Sequence, residues 1–257
     1  MPETSSPIDS LCEEYTIRAF EVDTHGSLSL PSLCNLLQNA AGNHARKLQL
    51  SIDDLLEQNC TWVLSRLAVR VDGSAGWGDR IDVRTWASGI EKLFAMRDFA
   101  CFDAVSKKPI ASAVSAWLII DTESRRPLRV RPHVEHLHMA EGSHVLDSIP
   151  GKLPPPEKSD CERLFHVGFS DMDVNRHVNN VRYITWAYET VPREIHEGFR
   201  PSYLEINYLG EALYNDELRS ISCTLDSSSP SFLHSVIRIS DGKEMLRAMT
   251  RWEPIVR

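Results

Sequence analysis

The sequence predicts an α+β fold of two tandem repeats, each an antiparallel sheet wrapped around one long central helix. Three observations lead there. A long segment with one apolar helical stripe is followed by four strand-like segments, and the same order of elements returns later in the chain. Between the two copies lies Met139–Glu162, where four prolines and two glycines displace any periodic apolar pattern. The 257 residues therefore divide into a first repeat at 11–138, a linker at 139–162 and a second repeat at 163–257.

EEYTIRAFEVD precedes the first helix as ERLFHVGFSDMD precedes the second. The first helix is expected over Leu30–Lys47, where Leu33, Leu36, Leu37, Ala40, Ala41 and His44 fall on one face. Strands follow at Val63–Val71, Arg80–Trp86, Phe94–Phe102 and Ala111–Ile120, the last nearly all apolar and so central in its sheet. The second helix is expected over Val178–Val191, with Val181, Ile184, Ala187, Tyr188 and Val191 inward and Pro192 as its stop. Its strands are expected at Leu204–Leu209, Glu217–Leu225, Phe232–Ile239 and Met245–Trp252. On this reading each helix is followed only by strands. Even the turns echo, WGDRIDV returning as YNDELRS 137 residues later.

Composition narrows the function classes. The chain is 42% hydrophobic and 25% charged, and 28 Lys and Arg against 36 Asp and Glu leave a net charge of −8, the wrong sign for gripping nucleic acid through phosphates. Six cysteines without a CxxC pair suggest neither a zinc ribbon nor a disulfide framework, and a reducing compartment is expected. The opening MPETSSPIDS lacks Lys, Arg and an apolar core. The greasiest run, ASAVSAWLII, is about half of what a bilayer span needs. A cytoplasmic protein without a membrane span is the expectation.

The absence of GxSxG, GxxxxGK[ST], GxGxxG after a strand and HExxH removes serine-hydrolase, nucleotide and zincin readings. What remains is Ser170–Asn180, which crowds Asp171, Asp173, Asn175, His177, Asn179 and Asn180 between a strand and a helix. Side chains at a helix start lie beside unpaired N–H groups that favour developing negative charge, as on a thioester or ester oxygen. The plainer reading makes Asp173, Asn175 and Asn179 caps and turn formers. Against it, the corresponding stretch of the first repeat, Val22-Asp-Thr-His-Gly-Ser-Leu28, lacks the Asp-x-Asn-x-His triplet. Glu211, near a strand end before Tyr214-Asn215-Asp216, is the second candidate; Glu205 competes, but has no turn to expose it to a cleft. His133, His136 and His138 fit no defensible metal spacing, so no metal is expected. Arg125, Arg126, Arg129 and Arg131 pack four cations into seven residues, a solvated face or a dock for an acidic partner.

FSDMDVNRHVNNVRYITWAYETVP resembles the signature of the acyl-acyl carrier protein thioesterases, the plant enzymes and their bacterial relatives. LCNLLQNAAGNHARKLQL is similar to the family's first helix, and GDRIDVRTWASG followed by RDF to its next strands. The resemblance implies a double hotdog fold whose second half carries catalysis while the first shapes the acyl pocket. It implies hydrolysis of fatty acyl-carrier thioesters in fatty acid biosynthesis, no cofactor, and acyl carrier protein as partner. Asp173, Asn175 and His177 match the family's triplet, and Glu211 matches its glutamate through the Tyr208-x-x-Glu211 spacing. The plant enzymes carry Cys after that glutamate; here it is Ala212, so direct attack by water is expected. His177 or Glu211 would deprotonate the water, Asn175 and the helix start would polarise the carbonyl, and Asp173 would orient the pair. Leu36, Leu37, Ala40 and Trp117 are expected to line the acyl tail, and the four arginines to dock the carrier. An acyl-CoA thioesterase and a non-catalytic acyl-binding module are the rivals. Chain length and oligomeric state, a homodimer included, stay open.

Overall fold

A computed structural model describes residues 10–139, 144–226 and 228–255. Two units make up the chain: Met1–Ser65 with Val71–Ile149, and Arg66–Arg70 with Pro150–Arg257. In each, one principal helix lies on one antiparallel sheet, which is the α+β double-hotdog class expected.

The first unit runs β1 (Ser10–Thr16), α1 (Leu30–Lys47), α2 (Ile52–Leu56), β2 (Cys60–Val71), β3 (Arg80–Glu91), β4 (Phe94–Asp103), β5 (Pro109–Asp121) and α3 (Arg131–Val134). Its strands are ordered β1-β3-β4-β5 with antiparallel pairing. Helix α1 has the expected span. Ser29 caps it by accepting the Ser32 N–H, Pro31 suits the first turn, and its apolar stripe is buried chiefly against β3 and β1. The expectation that only strands follow is corrected by α2. Ser51 and Asp54 form a reciprocal capping box that starts it, and Leu55 plugs a cluster with Leu50, Cys60, Ile119, Val130 and Val134.

The second unit runs β6 (Cys161–His166), α4 (Asn180–Tyr188), α5 (Arg193–Gly198), β7 (Phe199–Tyr208), β8 (Glu217–Asp226), β9 (Ser231–Arg238) and β10 (Glu244–Pro254), with a single 3-10 turn at Phe169–Asp171. Counting Arg66–Arg70 of β2, its order is β2-β7-β10-β9-β8-β6, all antiparallel. Helix α4 packs on β8, β9 and β10 but is shorter than the expected 178–191. Asn179 stops it from starting sooner because its side chain accepts the Val181 N–H at 2.9 Å. At the other end the Thr190 hydroxyl donates to Ala187 O at 2.7 Å, and Pro192 caps a separate helix, α5, again where only strands were expected.

Polar groups fill part of the core under α4. His234 is fully buried between Thr190 and Thr250. Because the Thr190 hydroxyl donates to Ala187, its oxygen accepts the Nδ1–H of His234, and Nε2 accepts the Thr250 hydroxyl at 2.9 Å. Burial pushes the imidazole pKa down to about 3, so the ring is neutral.

Of the expected linker, Ala140–Ser143 lie outside the described residues. Asp98 on β4, fully buried, accepts the Val145 N–H and bonds His144 Nδ1, both at 2.8 Å, holding His144 and Val145 to the first unit. Pro150–Leu153 are held to the second unit instead. Asn207 binds Leu153 N–H and Gly151 O at 2.7 Å each, and Glu205 accepts the Gly151 N–H at 2.8 Å. Glu205, the rival acid of the sequence reading, is thus committed to this segment.

Candidate active site

The loop between β6 and α4 takes its shape from its own polar residues. Asp173 N–H donates to His177 O at 2.8 Å, Arg176 N–H donates to Asp173 O at 3.0 Å, and the Asp173 carboxylate accepts the Asn175 N–H at 2.8 Å. Arg176 turns the chain with a φ of +61°. Just upstream, Asp171 is buried, bridges to Arg182 of α4, and accepts the Gly168 N–H. These bonds leave Asn175 exposed and His177 half-buried at the turn's end.

Glu211 follows β7 and meets this loop. His177 Nε2 lies 3.5 Å from Glu211 Oε2, with side-chain exposures of 30% and 39%. The structure therefore brings these two sequence candidates together at a solvent-accessible edge. Residue 212 locks them to each other: Val178 N–H donates to Ala212 O at 3.1 Å, while Ala212 N–H donates to the Tyr183 hydroxyl at 2.8 Å. The sequence reading missed Tyr183 and the bracing of Ala212. The signal was there in the tyrosine three residues after Asn180, which places its hydroxyl one helical turn into α4.

The expected role of the helix start is corrected. Four of the N–H groups there are already committed: Val178 to Ala212 O, Asn179 to Asp171 O, Val181 to the Asn179 side chain and Arg182 to Asn179 O. Asn175 and His177 lie before the cap rather than in the first turn.

The first repeat carries the same loop without its chemistry. Asp23 N–H donates to Ser27 O at 2.8 Å, Gly26 N–H donates to Asp23 O at 3.0 Å, and the Asp23 carboxylate accepts the His25 N–H at 2.9 Å. Gly26, with φ +75°, stands where Arg176 stands, and Leu28 N–H donates to Ala75 O as Val178 does to Ala212 O. Ser27 takes the place of His177. Since Asp23 builds this frame in a repeat lacking the triplet, the hydrogen bonds of Asp173 are those of a loop former. Removing Asp23's acceptor by Asp23→Ala is expected to cost about 1 kcal/mol in urea unfolding.

The remaining candidates lie in the first unit. Leu36, Leu37 and Ala40 are buried on α1; Trp117 is half-buried on β5, two strands beyond β3, with its indole N–H on Ser115 Oγ at 2.8 Å. Arg125, Arg126, Arg129 and Arg131 are all exposed along the turn from β5 into α3.

Residues 9–137 match the family model for the acyl-ACP thioesterase N-terminal domain, and residues 155–254 match that for the C-terminal domain. The chain is 30% identical to the chloroplastic palmitoyl-acyl carrier protein thioesterase of Gossypium hirsutum over 94% of its own length and 63% of that protein's. It is 27% identical to a chloroplastic dodecanoyl-[acyl-carrier-protein] hydrolase of Cinnamomum camphora over 93% and 66% of the two lengths. The chain thus spans just under two thirds of these relatives. Among solved structures, an acyl-ACP thioesterase from Bacteroides thetaiotaomicron superposes with a TM-score of 0.84 at 27% identity, covering 95% of this chain and 98% of that one. The 12:0-ACP thioesterase of Umbellularia californica gives a TM-score of 0.84 at 25% identity, covering 95% and 94%.

Proposed function

Because the chain belongs to the acyl-ACP thioesterase family, we propose that it hydrolyses the thioester of a fatty acyl chain on acyl carrier protein, freeing the fatty acid and ending elongation. The observation that carries this reading is the approach of His177 Nε2 to Glu211 Oε2 at 3.5 Å, close enough for both to hold one water. That water attacks the carbonyl carbon after giving a proton to Glu211 or His177. The carbon–sulfur bond then breaks, and the thiolate takes the proton back as the acid product leaves. The exposed amide of Asn175 polarises the carbonyl oxygen, a contribution of roughly 10² to 10³ in rate for donors of this kind. Asp173 serves by shaping the loop that presents both. Ala212 puts no thiol beside Glu211, and its side chain is fully buried, so this position supports direct hydrolysis rather than an acyl-enzyme.

Leu36, Leu37, Ala40 and Trp117 are the proposed lining of the acyl tail, and a cytoplasmic location accords with six free cysteines. Among the described residues no helix is long and apolar enough to cross a membrane. Thiol release from one acyl chain presented on carrier protein and on CoA tests the reading. Preference for the carrier supports it, equal or faster CoA hydrolysis favours the acyl-CoA rival, and binding without thiol release favours the non-catalytic one.

The carrier is proposed to dock on Arg125, Arg126, Arg129 and Arg131. Reversing all four to Glu is expected to lower kcat/KM for the carrier-linked substrate about tenfold at low ionic strength and to flatten its salt dependence. Unchanged salt dependence would remove this dock.

A further inference from the structure

The two repeats of this chain allow a comparison within one molecule: what both loops share serves the frame, and what only one has calls for another reason. The bond from the helix-entry N–H to the Ala carbonyl is shared, at 2.7 Å for Leu28 and Ala75 and 3.1 Å for Val178 and Ala212. The hydrogen bond to the alanine's own N–H is not shared. In the second repeat the Tyr183 hydroxyl takes it at 2.8 Å; in the first, Leu33 stands at the matching helix position, and among the described residues no side chain takes the Ala75 N–H.

Tyr183 is built to hold still. Its side chain is buried on α4, with its ring edge-on to Trp186 at 5.4 Å and to Tyr208 at 6.3 Å between centroids. Trp186 in turn stacks on Phe165 at 5.7 Å. Burial, with the negative charge of Glu211 adding to it, pushes the phenol pKa up, so the hydroxyl stays protonated. Ala212 is held from both sides, its N–H by α4 and its carbonyl by the loop that bears His177. Arg238 Nη1, 3.4 Å from Glu211 O, gives weaker support.

We propose that Tyr183 is a positioning residue for thioester hydrolysis: its hydroxyl fixes the backbone behind Glu211 so that the carboxylate stays opposed to His177. This rests on His177 and Glu211 being the catalytic pair. Tyr183 touches neither the water nor the thioester, and acts only through Glu211.

Tyr183→Phe removes the acceptor while keeping the ring. It is expected to lower kcat by up to roughly 10²-fold, the scale that about 1 Å of misplacement can cost, with KM changed by less than about twofold. Tyr203→Phe, which removes an equally small group from the bond to Glu205 Oε2 at 3.1 Å, serves as the control and should keep kcat within about threefold. The decisive measurement is the double variant. Added to Glu211→Gln, Tyr183→Phe should lower the residual rate no further, because the group it positions is gone. Wild-type kcat in a folded Tyr183→Phe, or losses that multiply in the double variant, would overturn the proposal. Full activity in Glu211→Gln alone would instead bring down the catalytic reading on which it stands.

Discussion

Replacing Glu211 by Gln is expected to slow carrier-linked thioester hydrolysis by roughly 10² to 10⁴-fold, the usual contribution of a positioned general base. The substitution keeps size and shape and removes only the ability to accept a proton. Stability should hardly change, since Glu211 is partly open to water and a solvent-exposed polar contact contributes little. His177→Ala is expected to fall in the same range. If the two side chains work on one water, the double variant should be little worse than either single one, because residues acting as a unit are not additive. Thiol release by purified variants, with melting curves to certify the fold, checks this. Near wild-type turnover in either single variant would remove that residue from the chemistry.

The second large effect concerns stability and acid. His234 titrates near its ordinary 6.5 when unfolded but is held down to about 3 by burial in the folded chain. Between those values the unfolded state binds a proton that the folded state refuses, so stability is lost as pH falls through this window, at up to about 1.4 kcal/mol per pH unit. A protonated ring would also have to donate from Nε2 to Thr250, whose own hydroxyl now donates to that nitrogen. Wild type is expected to lose about 2 kcal/mol more between pH 7 and pH 5 than His234→Gln, measured by urea unfolding. Taking the difference cancels carboxylates common to both proteins. Parallel pH profiles would show that the buried ring carries no such linkage.

The long elements were legible because apolar periodicity is written locally. Leu33, Leu36, Leu37, Ala40 and Ala41 spell out α1, and all are buried there. Short helices were not legible. Ser51-x-x-Asp54 starts a helix of only five residues, too short for a stripe to show against its surroundings. The ends of α4 misled for a related reason: Val178 and Val191 continue the apolar pattern, but Asn179 and Thr190 take the backbone bonds that would have extended the helix. In the candidate site, His177 and Glu211 stood out by residue type, and their closeness needed the fold. The bracing of Ala212 was out of reach, because an alanine advertises nothing and what matters there is its backbone.

The near-identity of the two loops has a practical consequence for anyone altering this protein. The frame at Asp23–Ser29 folds with serine where its counterpart has histidine, so neither His177 nor the neighbouring asparagine is needed for that shape. Good yield, solubility and a sharp melt would then say nothing about turnover. A screen of variants for soluble expression would pass inert and working copies alike, and only a direct assay could sort them.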